Sequence, residues 1–449
     1  MSKLKTNFEC SSCNYLLSKW QGCCPSCEAW NTINEKAAVS TAKIITSARS
    51  RTMQELGEHQ ALPLDKIKSN FGEWDRVFGG GIVPGSLNIL TGDPGIGKST
   101  LLLQIAHHLA QNYRVCYFSS EESLNQVADR AQRIIGKHSP LLFLSENNLS
   151  TIIETIRTEQ PALAIIDSIQ NCFLDQSSSS NGSINQLREA GFALMQLAKE
   201  TQISIILTAH ITKEGELAGP KTLEHLVDAV FYLQGEDQWQ IRVLRALKNR
   251  FGAINELGFF EMQSDGMQQI PNINQLLLEH RSAAPGASLI SYIEGTRPLL
   301  LELQALTIPT KLTMPQRVIT GLDHKHVVLI AAILEKYLKI KFSNHDIFFK
   351  VSGNFKIKTQ AADLGIALAL LSSYFQQALP EKTIALGELS LTGQVKPVSQ
   401  INLHLKEAMR FGLKQIIIPA DLKKLTVEPG VQITAISNVY ELLSLFELK

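Results

Sequence analysis

The chain has 449 residues, 44% of them hydrophobic, and its 43 lysines and arginines against 42 aspartates and glutamates give a formal net charge of +1. That length exceeds one compact core and calls for two or three domains, while the near balance of charge excludes nucleic-acid binding through overall charge and leaves only a local basic surface for it. No apolar run reaches membrane-spanning length and residues 1–8 carry no signal-peptide core, so the expectation is a cytoplasmic protein without a membrane partner.

Five of the seven cysteines stand in the first thirty residues. Cys10-x-x-Cys13 and Cys24-x-x-Cys27 form two knuckles, each able to place two thiolates on one tetrahedral ion, and four soft sulfur ligands favour Zn2+. Cys23 adjoins the second knuckle, but Cys24 completes the C-P-x-C spacing and is the preferred ligand, which leaves Cys23 a bystander. A four-cysteine finger over residues 1–35 buries almost no core and folds only around its metal. Residues 36–65 mix small, hydroxylated and charged types without strong periodicity, the signature of a linker.

Ordered structure is expected to start near Phe71 and to form an ATPase domain over residues 66–275. Gly92, Asp93, Pro94, Gly95, Ile96, Gly97, Lys98 and Ser99, followed by Thr100, spell G-x-x-x-x-G-K-S between an apolar run at 87–90 and a helical pattern at 100–110. This is the strand, glycine loop and helix context of a P-loop. The glycines turn backbone N–H groups towards the phosphates of ATP, Lys98 reaches the β and γ phosphates, and the Ser99 hydroxyl holds Mg2+. Further apolar runs at 115–118, 141–144, 163–166 and 203–207 alternate with amphipathic helices, and Ser123-x-x-Gln126 and Ser183-x-x-Gln186 read as capping boxes. Such alternation predicts an α/β fold with a mostly parallel sheet whose ligands bind at the carboxyl ends of the strands. Three strand ends carry chemistry. Asp167 supports the magnesium ion beside the P-loop. Glu121, with Glu122 next to it, is placed to orient or deprotonate the attacking water. Thr208 and His210 either sense the γ phosphate or are structural. The serine-rich stretch 177–183 reads as a surface loop.

Between 240 and 255 the cations Arg242, Arg245, Lys248 and Arg250 occur with no acidic residue among them. The run Lys248-Asn249-Arg250-Phe251-Gly252 closely resembles the signature of the RadA (Sms) family of bacterial DNA repair proteins. The resemblance extends over the four-cysteine finger with Trp30-Asn31, the P-loop, I-D-S-I-Q at 166–170, T-K-E-G at 212–215, A-G-P and L-E-H within 218–225, and E-G-T-R-P at 294–298, almost the whole chain. It implies a RecA-like P-loop ATPase that assembles as a hexameric ring on single-stranded and branched DNA, promotes branch migration, processes stalled forks, and works beside a RecA-type recombinase. In such rings ATP lies between subunits, so Lys248 and Arg250 would reach the neighbour's γ phosphate in trans; contact with DNA phosphates is the other use open to them. An ATP-gated regulatory or DNA-binding module without motor action is the alternative of a different class.

Residues 276–449 form the last domain, with A-P-G and G-T-R-P making 282–317 look like a connector. Helical patterns at 327–337 and 361–374 and apolar runs at 347–351 and 416–419 make the region similar to the proteolytic domain of Lon. The resemblance puts Ala361 where Lon has its serine nucleophile and Asn402 where it has its lysine base, so a Lon-protease-like α/β domain without peptidase activity is expected. Asp323-His324-Lys325-His326 stands for the more usual D-x-N-R, Ser352-Gly353-Asn354-Phe355 for a G-G-L run, and Lys358-Thr359-Gln360 for E-P-A. His324, Lys325 and His326 read either as a weak phosphate-binding patch or as a solvated turn.

Overall fold

The computed structural model describes residues 7–12, 16–17, 19–27, 29–36, 65–136, 138–175, 183–210, 223–236, 241–254, 256–279, 281, 283–352, 355–357, 359–422 and 429–447. The chain divides into two compact units, Met1–Pro63 and Leu64–Lys449. In the first, β1 (Asn7–Cys10) pairs antiparallel with β2 (Leu16–Leu17) on one side and β3 (Ile33–Lys36) on the other.

The second unit opens with α1 (Gly72–Val77), β4 (Leu87–Gly92), α2 (Lys98–Ala110), β5 (Val115–Ser119), α3 (Leu124–Ile134), β6 (Leu142–Ser145), α4 (Leu149–Glu159), β7 (Leu163–Asp167), α5 (Ile184–Thr201) and β8 (Ser204–His210). Then follow β9 (Ala229–Glu236), β10 (Ile241–Asn249), β11 (Leu257–Gln263) and β12 (Gly266–Gln269). Among the described residues these strands make one sheet in the order β12-β11-β10-β9-β4-β8-β7-β5-β6. From β9 to β6 the pairing is parallel, and from β9 to β12 antiparallel. Every residue of β4, β5 and β7 is buried, as expected for parallel strands covered on both faces. Helices α1 and α2 cover one face, with Trp74, Leu101 and Ile105 packed on Leu90, Ile165 and Phe231. Helices α4 and α5 cover the other, with Ile152, Ile156 and Leu194 on Ile89, Ile166 and Leu207.

Ser123 and Gln126 form the expected capping box at α3. At α5 the Ser183 side chain accepts the Gln186 N–H, whereas the Gln186 amide donates to the Cys172 carbonyl and so ties the helix to the segment after β7.

The chain continues through α6 (Ile273–Glu279), β13 (Ala287–Glu294), β14 (Arg297–Pro309), β15 (Arg317–Thr320), α7 (His324–Leu338), β16 (His345–Val351), α8 (Asp363–Phe375), β17 (Thr383–Ala385), β18 (Glu388–Leu389), β19 (Val395–Lys396), α9 (Ile401–Arg410), β20 (Gln415–Pro419) and β21 (Gln432–Ile436). The second large sheet runs β15-β16-β14-β13-β17-β20-β21. Residues 282–317 are therefore not a connector: they contain β13 and β14, two adjoining strands in the middle of this sheet. The two sheets share a core. On β10, Leu244 and Ala246 face the helices of the first sheet, while Ile241 and Val243 pack with Leu299, Leu301 and the α7–α8 side chains of the second. The two-residue period of a strand sends alternate side chains to two different cores. Among the described residues no helix is long and apolar enough to cross a membrane.

Candidate functional site

In the first unit the sulfurs of Cys10, Cys24 and Cys27 lie within 4.8 Å of one another, and those of Cys10 and Cys27 are 3.7 Å apart. Sulfurs about 2.3 Å from a tetrahedral zinc ion stand about 3.8 Å from each other, so three thiolates already have the spacing of a zinc site. Cys13, the fourth expected ligand, lies outside the described residues. The Cys23 sulfur stands outside this cluster, 3.9 Å from the Cys24 carbonyl oxygen.

At the carboxyl end of β4 the chain turns through Asp93–Gly97 into α2. Gly97 caps the helix with φ 107°, in the left-handed region, and a Cβ there would run into the Met262 and Met267 methyl groups; only glycine fits. The loop leads into the positive end of a 13-residue helix, a place suited to an anion. Lys98 is buried, and its ammonium donates to the carbonyl oxygens of Gly92 (2.8 Å) and Asp93 (3.0 Å). Burial lowers its pKa, while the charges of Asp167, Asp93 and Glu121 oppose the shift. The charges of Asp167 and Glu121 are thus felt at the P-loop lysine.

Asp167 ends β7 and is buried. Its two oxygens accept hydroxyls from neighbouring strands, Thr208 of β8 at Oδ1 (2.6 Å) and Tyr117 of β5 at Oδ2 (2.6 Å). Burial, together with the Asp167 charge and hydrogen bond, raises the Tyr117 pKa, so the phenol stays a donor. Glu121 is exposed beyond β5, and its Oε1 accepts the Ser168 hydroxyl (2.5 Å) and the Asn171 amide (3.0 Å). Ser120 closes the seam between the two strand ends, donating its hydroxyl to the Ser168 carbonyl (2.7 Å) and accepting the Ser168 N–H (3.0 Å). Glu122, by contrast, forms an ion pair with Arg130 on α3. His210 pairs in register with Gly92 at the adjoining strand end. Tyr117, Ser168 and Asn171 are holding residues that sequence reasoning missed. The one available signal was a tyrosine inside an otherwise apolar buried strand, where its hydroxyl needs a partner.

The structure sorts the basic strand into three places. Arg242 donates through Nε to the Ile96 carbonyl at the P-loop (3.3 Å), and Arg245 forms an ion pair with Glu294 of β13. Lys248 and Arg250 lie at the other end of the sheet. Gly92 is level with Leu233 and Leu244, whereas Lys248, past a bulge in β10, is level with Val230; three residues of strand put it about 10 Å from the P-loop end. Within one chain these two cations do not meet the P-loop.

In the last domain Ala361, the residue that the resemblance sets against the Lon serine, is buried among Leu289, Val398 and Leu405 and places a methyl group inside an apolar cluster. Asn402 sits exposed on α9. His324 and Lys325 are exposed in the first turn of α7, which Asp323 caps through the Lys325 N–H (2.8 Å). His326 departs from both readings of that turn: its Nε2 bonds the buried Asp363 carboxylate (2.5 Å), which also accepts the Leu389 N–H (2.9 Å). Ser352 and Phe355 are described, whereas Gly353, Asn354 and Lys358 lie outside the described residues, as do the motifs at 212–215 and 218–220, residues 177–182 and the linker 37–64.

Residues 8–35 match the family described as rubredoxin metal binding domain, residues 53–216 the family described as AAA domain, and residues 313–421 the family described as subunit ChlI of Mg-chelatase. The DNA repair protein RadA of Halalkalibacterium halodurans is 40% identical over 454 residues, and that of Bacillus subtilis 41% identical over 452, each match covering 99% of both chains. Among solved structures, the RadB recombinase is similar at 19% identity and a TM-score of 0.37, covering 45% of this chain and 99% of that one.

Proposed function

The chain belongs to the RadA family of DNA repair proteins, and from that membership we propose that it is a DNA-dependent ATPase that promotes branch migration of recombination intermediates and processing of stalled forks. The observation that carries the ATPase reading is the buried P-loop lysine, Lys98, which feels the charges of Asp167 at the end of β7 and of Glu121 beyond β5. In this reading the loop N–H groups and Lys98 bind the phosphates of ATP. Ser99 and Asp167 would hold Mg2+, an acidic and a hydroxyl oxygen ligand suited to a hard cation; bound there, the ion would neutralise phosphate charge. Glu121, steadied by Ser168 and Asn171, takes the proton of the attacking water. Lys248 and Arg250 serve the nucleotide of a neighbouring copy, which calls for a ring; the family resemblance suggests six subunits.

Hydrolysis at those interfaces would change the ring's hold on single-stranded or branched DNA, in the cytoplasm and beside a RecA-type recombinase. Alanine at 361 and asparagine at 402 supply neither nucleophile nor base, so the last domain serves assembly and DNA binding, not peptide hydrolysis. ATP turnover with and without single-stranded DNA, at stated salt because phosphate contacts are salt-dependent, tests the proposal. Stimulation by the strand and its loss in Lys98→Ala are expected. ATP binding without strand-stimulated turnover would instead fit a nucleotide-gated module.

A further inference from the structure

Asp228 lies just before β9 with its side chain 4% exposed. Its Oδ2 accepts the Leu87 N–H at the start of β4 (3.1 Å) and the Lys199 ammonium from the last turn of α5 (3.0 Å). Its Oδ1 accepts Nη1 of Arg250 (3.2 Å). The main chain repeats both links: the Asp228 N–H donates to the Leu87 carbonyl (2.8 Å), and the Arg250 N–H donates to the Asp228 carbonyl (3.2 Å). The turn that leads into Asp228 takes hold of the other cation, since Lys248 Nζ donates to the carbonyl oxygens of Glu224 (2.5 Å) and Val227 (2.8 Å).

We propose that Asp228 is the positioning residue of the Lys248–Arg250 pair, fixing the guanidinium to the strand that bears the P-loop so that it meets the nucleotide of a neighbouring copy in a set geometry. The inference rests on the in-trans reading of that pair given above. Three features separate positioning from mere charge balance. Lys199 and the Leu87 N–H already give the buried carboxylate a cation and a donor. Arg250 is 60% exposed, so it is tethered at one nitrogen with much of the side chain facing outwards. Lys248 is drawn in, its pKa lowered by burial first and by the adjacent Arg250 charge second, which leaves Arg250 as the more outward of the two cations. A charge-assisted bond holds a flexible guanidinium in one orientation, and reaction rates respond steeply to such placement.

The test uses the full chain with saturating single-stranded DNA. In Asp228→Asn, kcat for ATP is expected to fall about 10²-fold, the cost of a misplacement of about 1 Å, with KM for ATP unchanged. Asp228→Glu keeps the charge beside Lys199 but extends the arm by one methylene, and is expected to show a smaller loss of kcat. Lys199→Met is expected to keep wild-type turnover. Melting temperatures with and without ADP identify the folded variants. Wild-type kcat in either folded Asp228 variant, or an equal loss in Lys199→Met, overturns the assignment. Arg250→Ala keeps the two failures apart: if it is inactive while Asp228→Asn turns over normally, only the positioning role falls. If Arg250→Ala itself turns over normally, the in-trans reading falls and takes this inference with it.

Discussion

Two histidines of the last domain show how one residue type acquires opposite pH behaviour from its surroundings. His404 on α9 is buried with its Nδ1 2.8 Å from the Ser291 hydroxyl, and burial pushes its pKa down to about 4. An unfolded histidine titrates near 6.5, so between the two values the unfolded chain binds the extra proton and stability falls as the pH falls. From pH 7 to pH 5 this side chain is expected to cost about 2 kcal/mol. The expectation is checked by urea denaturation at the two pH values, where His404→Gln should lose less stability than the wild type by that amount. An equal loss in both would mean that the buried imidazole does not govern the acid limb. His326 works the other way. Its hydrogen bond to Asp363 raises its pKa, so its contribution is fully present below the unfolded value and is lost as the pH rises through the folded one.

Among elements, the hairpin between β13 and β14 carries the E-G-T-R-P motif, and three of its residues reach the first sheet. Glu294 forms an ion pair with Arg245, Thr296 donates its hydroxyl to Glu256 (2.6 Å to Oε1), and Arg297 forms an ion pair with Glu73 of α1 (2.5 Å). Glu73 is 3% exposed at its side chain and also accepts the Phe259 N–H (2.9 Å). Removing the guanidinium in Arg297→Met leaves the buried carboxylate only the more exposed Arg76 as a cation, 3.7 Å away, and is expected to destabilise the protein by about 3 kcal/mol, the low end for a broken buried pair. The double variant Glu73→Gln/Arg297→Met should recover much of that loss, and denaturant midpoints of the three proteins measure the coupling. The motif is legible in the sequence but its use is not. A-P-G and G-T-R-P read as turns, and Pro298 interrupts the alternating pattern, so the strands on either side look like a connector. The central parallel strands are legible for the opposite reason: burial on both faces makes β4, β5 and β7 largely apolar runs, and the glycines of the P-loop fix its position. For the candidate site, spacing and strand ends bring out Lys98, Asp167 and Glu121. The hydroxyls that hold the two carboxylates come from strands distant in sequence; the tyrosine inside β5 signals that its hydroxyl needs a partner but not which one.

For the molecule as a whole, the sheet separates the two halves of the proposed active site. The P-loop lies at the carboxyl end of β4, and Lys248 lies about 10 Å away along the strand direction, with Arg250 beyond it, towards the end where β4 begins. A head-to-tail arrangement, in which the same two surfaces meet at every contact, closes into a ring when the rotation allows. Each nucleotide would then need Lys98 from one subunit and Arg250 from the next. Lys98→Ala lacks the first and keeps the second, while Arg250→Ala has the reverse defect, so each alone is expected to be inactive. When the two are co-expressed in equal amounts and mix at random, half the sites retain Lys98 and half of those face an intact Arg250. About a quarter of the wild-type turnover per subunit should return. Steady-state ATP hydrolysis of the mixed assembly, with each variant alone as the baseline, is the measurement. Recovery on mixing would require the composite site, since neither chain holds a complete set of groups, whereas a mixture as inactive as its parts would confine both defects to one chain and remove the reason for a ring.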